Sequence, residues 1–194
     1  MRRYHVAGDR RDGQAALSER RQRFERVVLP HLDAAYNLAR WITRNDHDAQ
    51  DVVQEAVLRA YRFFDGLRGG GAKPWLLAIV RNSCLSWLQV NRPADLAGFD
   101  DRVVETLASE EPGPETQAMR AFDRRMLNEA IAALPAQFRE VLVLRELEDL
   151  SYKEIARVAD VPIGTVMSRL ARARRLLGES VRAVSNASGQ PVNR

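Results

Sequence analysis

Apolar side chains recur every three or four residues along most of this chain, and the strict alternation of a half-buried strand is absent. The spacing predicts a helix opening at Ser18, with Ser18 as its N-cap and Phe24, Val27 and Val28 on its apolar side. Pro30 kinks that helix or begins a new one, and 31–43 continues with Leu32, Ala35, Leu38, Ala39 and Ile42 to one side. Asn45, Asp46 and Asp48 mark a turn and a cap. From about Asp46 to Phe64, Ala49, Val52, Val53, Ala56, Val57, Ala60, Phe63 and Phe64 form a wide buried face. Lys73-Pro74 opens another helix, with Trp75, Leu76, Ile79, Val80, Cys84, Leu85 and Leu88 inward. Further helices are expected over 115–134, 135–147, 152–159 and from about 163 to 177.

Two stretches break this pattern. Residues 65–72 contain Gly69, Gly70 and Gly71 in succession, which no stable helix interior tolerates. After Asn91, prolines, glycines and acids take over, with six acidic and two basic residues between Leu96 and Arg120. The expected fold class is therefore all-α, two small helical domains joined by a flexible linker. The expected divisions are a mobile tail at 1–17, a first domain at 18–92, an acidic linker at 93–114, a second domain at 115–183 and a mobile tail at 184–194.

The last two predicted helices are separated only by Asp160, Val161 and Pro162, which is the form of a helix-turn-helix. In the second of them, Ile163, Val166, Leu170, Ala173 and Leu177 make an apolar face. Thr165, Ser168, Arg172 and Arg175 make a polar stripe, flanked by Arg169 and Arg174. Hydroxyls and guanidinium groups on a supported helix suit the major groove of DNA, although most arginine-rich helix faces are merely solvated. Charge favours DNA. Between Val161 and Arg182 there are five arginines and a single acid, Glu179, whereas acids outnumber bases from Gln137 to Asp160.

On the helix over 46–64, Asp51, Gln54, Glu55, Leu58, Arg59 and Arg62 face away from the apolar side. A leucine among acids and amides marks a docking surface or a stray exposed leucine. Trp75, beside the glycine loop and followed by Arg81 and Asn82, suits the capture of an unstacked base or simply belongs to the core.

Composition narrows the classes. The chain has 194 residues and a formal net charge of +4, which suits a polyanionic partner. One cysteine, Cys84, rules out an internal disulfide framework, and its spacing places it in the core. No cysteine or second histidine stands at metal-ligand spacing from His31, no nucleophile–base set is visible, and the glycine loop lacks the Gly-Lys-Ser/Thr that would cradle phosphate. No metal, cofactor or catalytic residue is expected. There is no apolar run of membrane-spanning length and no signal peptide, so a cytoplasmic protein without membrane insertion is expected.

Taken together, these segments resemble the extracytoplasmic-function group of bacterial sigma-70-type factors. The runs that carry the resemblance are DAQDVVQE at 48–55, WLLAIVRN at 75–82, Leu134-Pro135, SYKEIA at 151–156 and GTVMSRL at 164–170. The resemblance implies two domains, region 2 and region 4. It implies that Asp51, Gln54, Glu55 and Leu58 dock on the clamp helices of the largest subunit of core RNA polymerase, with the β flap a further polymerase contact. It implies that Arg68, Gly70, Lys73, Trp75, Arg81 and Asn82 belong to the part that opens the −10 promoter element and holds a flipped base. Thr165, Ser168, Arg169, Arg172 and Arg175 would meet the −35 element, and an anti-sigma factor is an expected partner. Two further readings stay beside this one. A regulator using only its helix-turn-helix leaves the 46–64 stripe without a function, and a sigma mimic that sequesters an anti-sigma factor has no need of the arginines.

Overall fold

The computed structural model describes residues 7–69, 71–96, 99 and 126–187, with side chains described between 14 and 182. Every regular element among them is helical. The first unit consists of α1 (Ala7–Val27), a 3-10 turn (Leu29–His31), α2 (Leu32–Thr43), α3 (Asp46–Arg62), a second 3-10 turn (Phe64–Gly66), α4 (Ala72–Asn91) and the single turn α5 (Pro93–Leu96). The second unit consists of α6 (126–133), α7 (Ala136–Leu142), a π-helical turn (Val143–Leu147), α8 (Tyr152–Ala159) and α9 (Ile163–Ala187).

Helix α1 starts at Ala7 and not at Ser18, which sits inside it. The segment ahead of Ser18 has no proline, and its Ala and Arg residues let the helix propagate backwards in spite of Gly8 and Gly13. Arg20 fixes α1 to the end of α3. Its Nη2 donates to the Tyr61 carbonyl at 2.6 Å, its Nε lies 3.0 Å from Asp65 Oδ2, and its guanidinium stands 4.6 Å from the Tyr61 ring centre. Beside it, Phe24 meets Tyr61 and Phe64 edge-on at 5.1 and 5.2 Å.

The polar punctuation works locally. Arg44 turns left-handed (φ 57°) to end α2, and Asn45 Oδ1 then accepts from His47 N and Asp48 N at 2.9 and 3.0 Å to cap α3. Gly71 enters α4 at φ 86°, where a Cβ would lie 3.3 Å from Pro74 Cδ, so both backbone angle and space call for glycine. Leu38, Phe64, Leu76, Leu77 and Leu88 are fully buried between α2, α3 and α4, each contributing roughly 1.5–3 kcal/mol of apolar burial. Cys84 lies among them, and burial pushes its thiol up to about 12, which makes it an inert packing group.

In the second unit the expected helix over 135–147 divides. After Leu142 the ladder widens, with Glu148 N donating to the Val143 carbonyl at 3.1 Å, five residues back. Ser151 and Glu154 form a capping box at the start of α8: Ser151 N donates to Glu154 Oε2 at 2.9 Å, and Glu154 N to Ser151 Oγ at 3.3 Å. Hydrogen bonds from Ser151 hold the Glu154 carboxyl below its ordinary value. Asp160 (φ 52°) ends α8, and Pro162 opens α9, its carbonyl accepting from Thr165 N and Val166 N. At the far end α9 continues as helix to Ala187, past the point where a tail was expected. The remainder of the expected linker and residues 115–125 of the helix expected over 115–134 lie outside the described residues.

The two units abut. Helix α8 packs against α4, and α7 with its π turn packs against α2, so buried apolar side chains form one cluster from Phe24 to Ala173.

Candidate nucleic-acid and partner-docking surfaces

Three groups of residues singled out in the sequence sit in different surroundings. On α3, Asp51, Gln54, Glu55 and Leu58 are all exposed, and Leu58 keeps 63% of its surface. Gln54 and Leu58 stand one turn apart on the same strip of helix, with Asp51 a turn before. Glu55 Oε1 is held at 2.9 Å by Arg59, within the stripe itself. Among the described residues nothing covers this surface: an aliphatic side chain framed by carboxylates and an amide.

On α9, Val166, Leu170 and Ala173 are buried, Leu177 is half-buried and Ile163 is exposed, so the apolar face is shorter than its periodicity indicates. Ser168, Arg172 and Arg175 are exposed and Thr165 is half-buried. Ser168 Oγ donates to the Thr165 carbonyl at 3.0 Å, and Arg175 lies 3.8 Å from Glu179. Arg174, on the flank, is held by Glu146 at 2.7 Å, which raises its pKa further. Arg169 differs from its neighbours: only 7% of its surface is exposed, and its charge faces Glu140. In this arrangement its guanidinium is not offered to a duplex. Exposed Met167 occupies part of the outward strip with Ser168.

The loop and helix over 67–82 meet the second unit. Arg68 and Asn82 are exposed, Trp75 is half-buried against the core, and Gly70 lies outside the described residues. Lys73 Nζ lies 2.9 Å from Glu148 Oε2 and donates to the Glu148 carbonyl at 2.7 Å. Arg81 Nε donates to Glu140 Oε1, both side chains being almost wholly enclosed. These two cations are thus engaged by acids of the second unit.

Residues that the sequence pattern passed over complete that junction. All seven residues of α7 are buried, including Gln137, Arg139 and Glu140. Burial raises the Glu140 carboxyl above its ordinary value, while Arg81, Arg169 and Arg139 pull it back. Arg139 is drawn down to about 10 by burial, with Arg44 adding to the effect, and still carries its charge at neutral pH. Its guanidinium donates to the carbonyls of Trp41 (2.9 Å), Ala132 (2.9 Å) and Leu134 (3.0 Å), tying α2, α6 and α7 together. The signal that could have found these residues is their density in a segment bounded by Pro135 and apolar on all its other positions. A helix buried all round must neutralise its own polar groups. Among the described residues no group of acids, histidines and cysteine is arranged to hold a metal ion, and no helix is long and apolar enough to cross a membrane.

Comparison with known proteins agrees with this architecture. Residues 27–93 match the family model for sigma-70 region 2, and residues 124–177 match the model for sigma-70 region 4. The chain is 34% identical over 182 residues to an ECF RNA polymerase sigma-E factor of Haemophilus influenzae, covering 86% of this chain and 94% of that one. It is 38% identical over 141 residues to the sigma-E factor of Escherichia coli, covering 69% of this chain and 74% of the relative. Among solved structures it is similar to the sigma factor RpoE of Bartonella quintana in complex with the anti-sigma factor NepR, with a TM-score of 0.63 and 26% identity over 84% of this chain and 96% of that one. CnrH in complex with the cytosolic domain of CnrY shares the fold, with a TM-score of 0.59 and 23% identity over 84% of this chain and 90% of that one. With regions 2 and 4 both matched and full-length relatives in agreement, the chain belongs to the ECF group of RNA polymerase sigma factors, non-catalytic initiation factors that direct transcription from specific promoters.

Proposed function

We propose a division of labour among the three surfaces. The α3 stripe, Asp51, Gln54, Glu55 and Leu58, docks on the clamp helices of the polymerase largest subunit, and the second unit lies against the β flap. Leu58 supplies the apolar anchor and the polar residues around it set register and exclude competitors. Thr165, Ser168, Arg172 and Arg175 meet the −35 element, with exposed Arg172 placed to read a guanine edge. Arg169 joins them only if the packing that buries it is released. Arg68, Gly70, Lys73, Trp75, Arg81 and Asn82 serve the −10 element. There the capture of a flipped base must return the few kcal/mol that unstacking costs.

The observation that carries this reading is the uncovered Leu58 amid exposed Asp51, Gln54 and Glu55, on the same chain as a helix-turn-helix with outward arginines. A regulator that bound duplex DNA alone would have no use for it. An anti-sigma factor is a further proposed partner, supported by the two solved relatives held by NepR and CnrY. Cytoplasmic residence follows from work with polymerase and fits the single buried cysteine. The test adds the purified chain to bacterial core polymerase with a library of promoter fragments and maps the transcripts. Initiation at a shared sequence class is expected. Tight binding to duplex DNA without polymerase, and no transcript with it, would refute the proposal.

A further inference from the structure

Leu58 on α3 and Met167 on α9 keep 63% and 54% of their surfaces exposed, and their frames have opposite charge. Leu58 stands among Asp51, Gln54 and Glu55, whereas Met167 stands among Ser168, Arg172 and Arg175. Ile163, Met167 and Ala171 follow one another at four-residue steps and are all exposed, so they line an apolar shoulder along α9. Val166, Leu170 and Ala173 already fill the buried face of that helix, and the shoulder serves no packing among the described residues. Charge indicates what covers it. From Val161 to Arg182 there are five arginines and one acid, Glu179. A duplex meets both features at once: phosphates for the guanidinium groups, and the thymine methyl as the apolar group of the major groove.

We propose that Met167 is a specificity-determining residue that reads the 5-methyl group of a thymine in the −35 element. The inference rests on the assignment of α9 to that element. A thioether donates no hydrogen bond and accepts only weakly, so Met167 has no means of reading the amino groups, oxygens and nitrogens of base edges. A methyl group is what it can read, because three rotatable bonds let the polarizable sulfur and its terminal methyl settle against it. Met167 and Arg172 are five residues apart, about 7.5 Å along the helix axis. Base pairs are spaced by roughly 3.4 Å, so the thymine and the guanine offered to Arg172 belong to different pairs. Met167 therefore distinguishes thymine from cytosine by the methyl alone, and at this position 5-methylcytosine counts as thymine.

The test uses the full chain assembled with core polymerase. The −35 sequence preferred by the wild type is first selected from templates randomised in that window. Deoxyuridine then replaces each thymidine of the selected window in turn, on either strand, which removes the methyl and keeps every hydrogen-bonding group. Holoenzyme affinity for each fluorescein-labelled fragment is measured by anisotropy. At one thymine the wild type should lose about fourfold, the factor that one buried methyl group confers. Met167→Ala should bind the thymine and deoxyuridine fragments alike, and Met167→Leu, which keeps an apolar side chain of similar size, should retain the difference. Cytosine at that position should weaken wild-type binding, and 5-methylcytosine should recover about the same factor. Met167 is exposed, so neither substitution disturbs the core. A selected window without thymine, no methyl dependence at any thymine, or an equal loss in wild type and Met167→Ala would overturn the inference while leaving α9 at the −35 element. Weaker binding of Met167→Ala to core polymerase without DNA would overturn it as well, by showing that protein covers the shoulder. If the wild type selects no sequence in the window, the assignment of α9 itself fails and the inference falls with it.

Discussion

Helices α3 and α7 carry similar proportions of polar residues and use them in opposite ways. On α3 the apolar face is formed by buried Ala49, Val52, Ala56 and Ala60, while Phe63, expected inward, is exposed just past the helix end, and the polar stripe faces water. On α7 there is no water side: Gln137, Arg139 and Glu140 are as buried as Phe138 and Val141. Polar groups on α3 are therefore free to recognise another molecule at little cost to the fold. On α7, Arg139 and Glu140 are matched within the chain and hold the two units together, whereas the Gln137 amide is enclosed without a hydrogen-bond partner among the described residues. The same chemistry is thus recognition in one place and structure in the other, and the neighbours decide which.

The contrast is broken most severely at Arg139. Arg139→Met keeps the aliphatic stem but leaves three carbonyls without their donor, so a loss of roughly 3 kcal/mol or more is expected in thermal or urea unfolding. An unfolding midpoint near that of the wild type would show that α7's buried charge is not structural. Gln54→Ala/Leu58→Ala should do the reverse. Stability should stay within about 0.5 kcal/mol, while affinity for core polymerase falls by a hot-spot amount, about 2 kcal/mol or thirtyfold. Pull-down and calorimetry separate the two.

A smaller effect sharpens the comparison on α8, where exposed polar groups act locally. Ser151→Ala removes the cap and should cost about 1 kcal/mol. Its pH signature has a definite sign. Hydrogen bonds from Ser151 hold the Glu154 carboxyl below its ordinary value in the folded state, so its contribution is present above the unfolded pKa and lost as pH falls through the folded one. In Ser151→Ala the acid-side loss attributable to Glu154 should shrink, as seen by comparing unfolding at pH 7 and pH 3. The smallest change is expected from Glu55→Gln, whose exposed pair with Arg59 contributes only about 0.3–0.5 kcal/mol.

Legibility in the sequence followed the same division. The stripe on α3, the turn at Asp160–Pro162 and the buried Val166, Leu170 and Ala173 of α9 were readable, because a helix with one wet and one dry face leaves its period in the chain. The backward extension of α1 was not, since Ser18 carries a cap's chemistry whether or not a helix ends there. Nor was the burial of Arg169, Lys73's tie to Glu148 or Arg81's to Glu140. Each depends on a residue more than 25 positions away, and periodicity assigns any polar side chain to water by default. The division of α7 from its π turn left no composition signal, because the Ala136–Leu147 run is apolar enough for either ladder.

The central claim is that the second unit directs upstream recognition while the first docks on the clamp helices and opens DNA. Its most direct test is transcription by core polymerase on templates randomised in the −35 and −10 windows, with wild type and Arg172→Ala, sequencing the templates that yield RNA. The account predicts enrichment in both windows for the wild type. It predicts that Arg172→Ala flattens the upstream window, by the roughly 1–3 kcal/mol a bidentate contact discriminates, and leaves the downstream one sharp. Equal flattening of both windows, or no enrichment with the wild type, would contradict it.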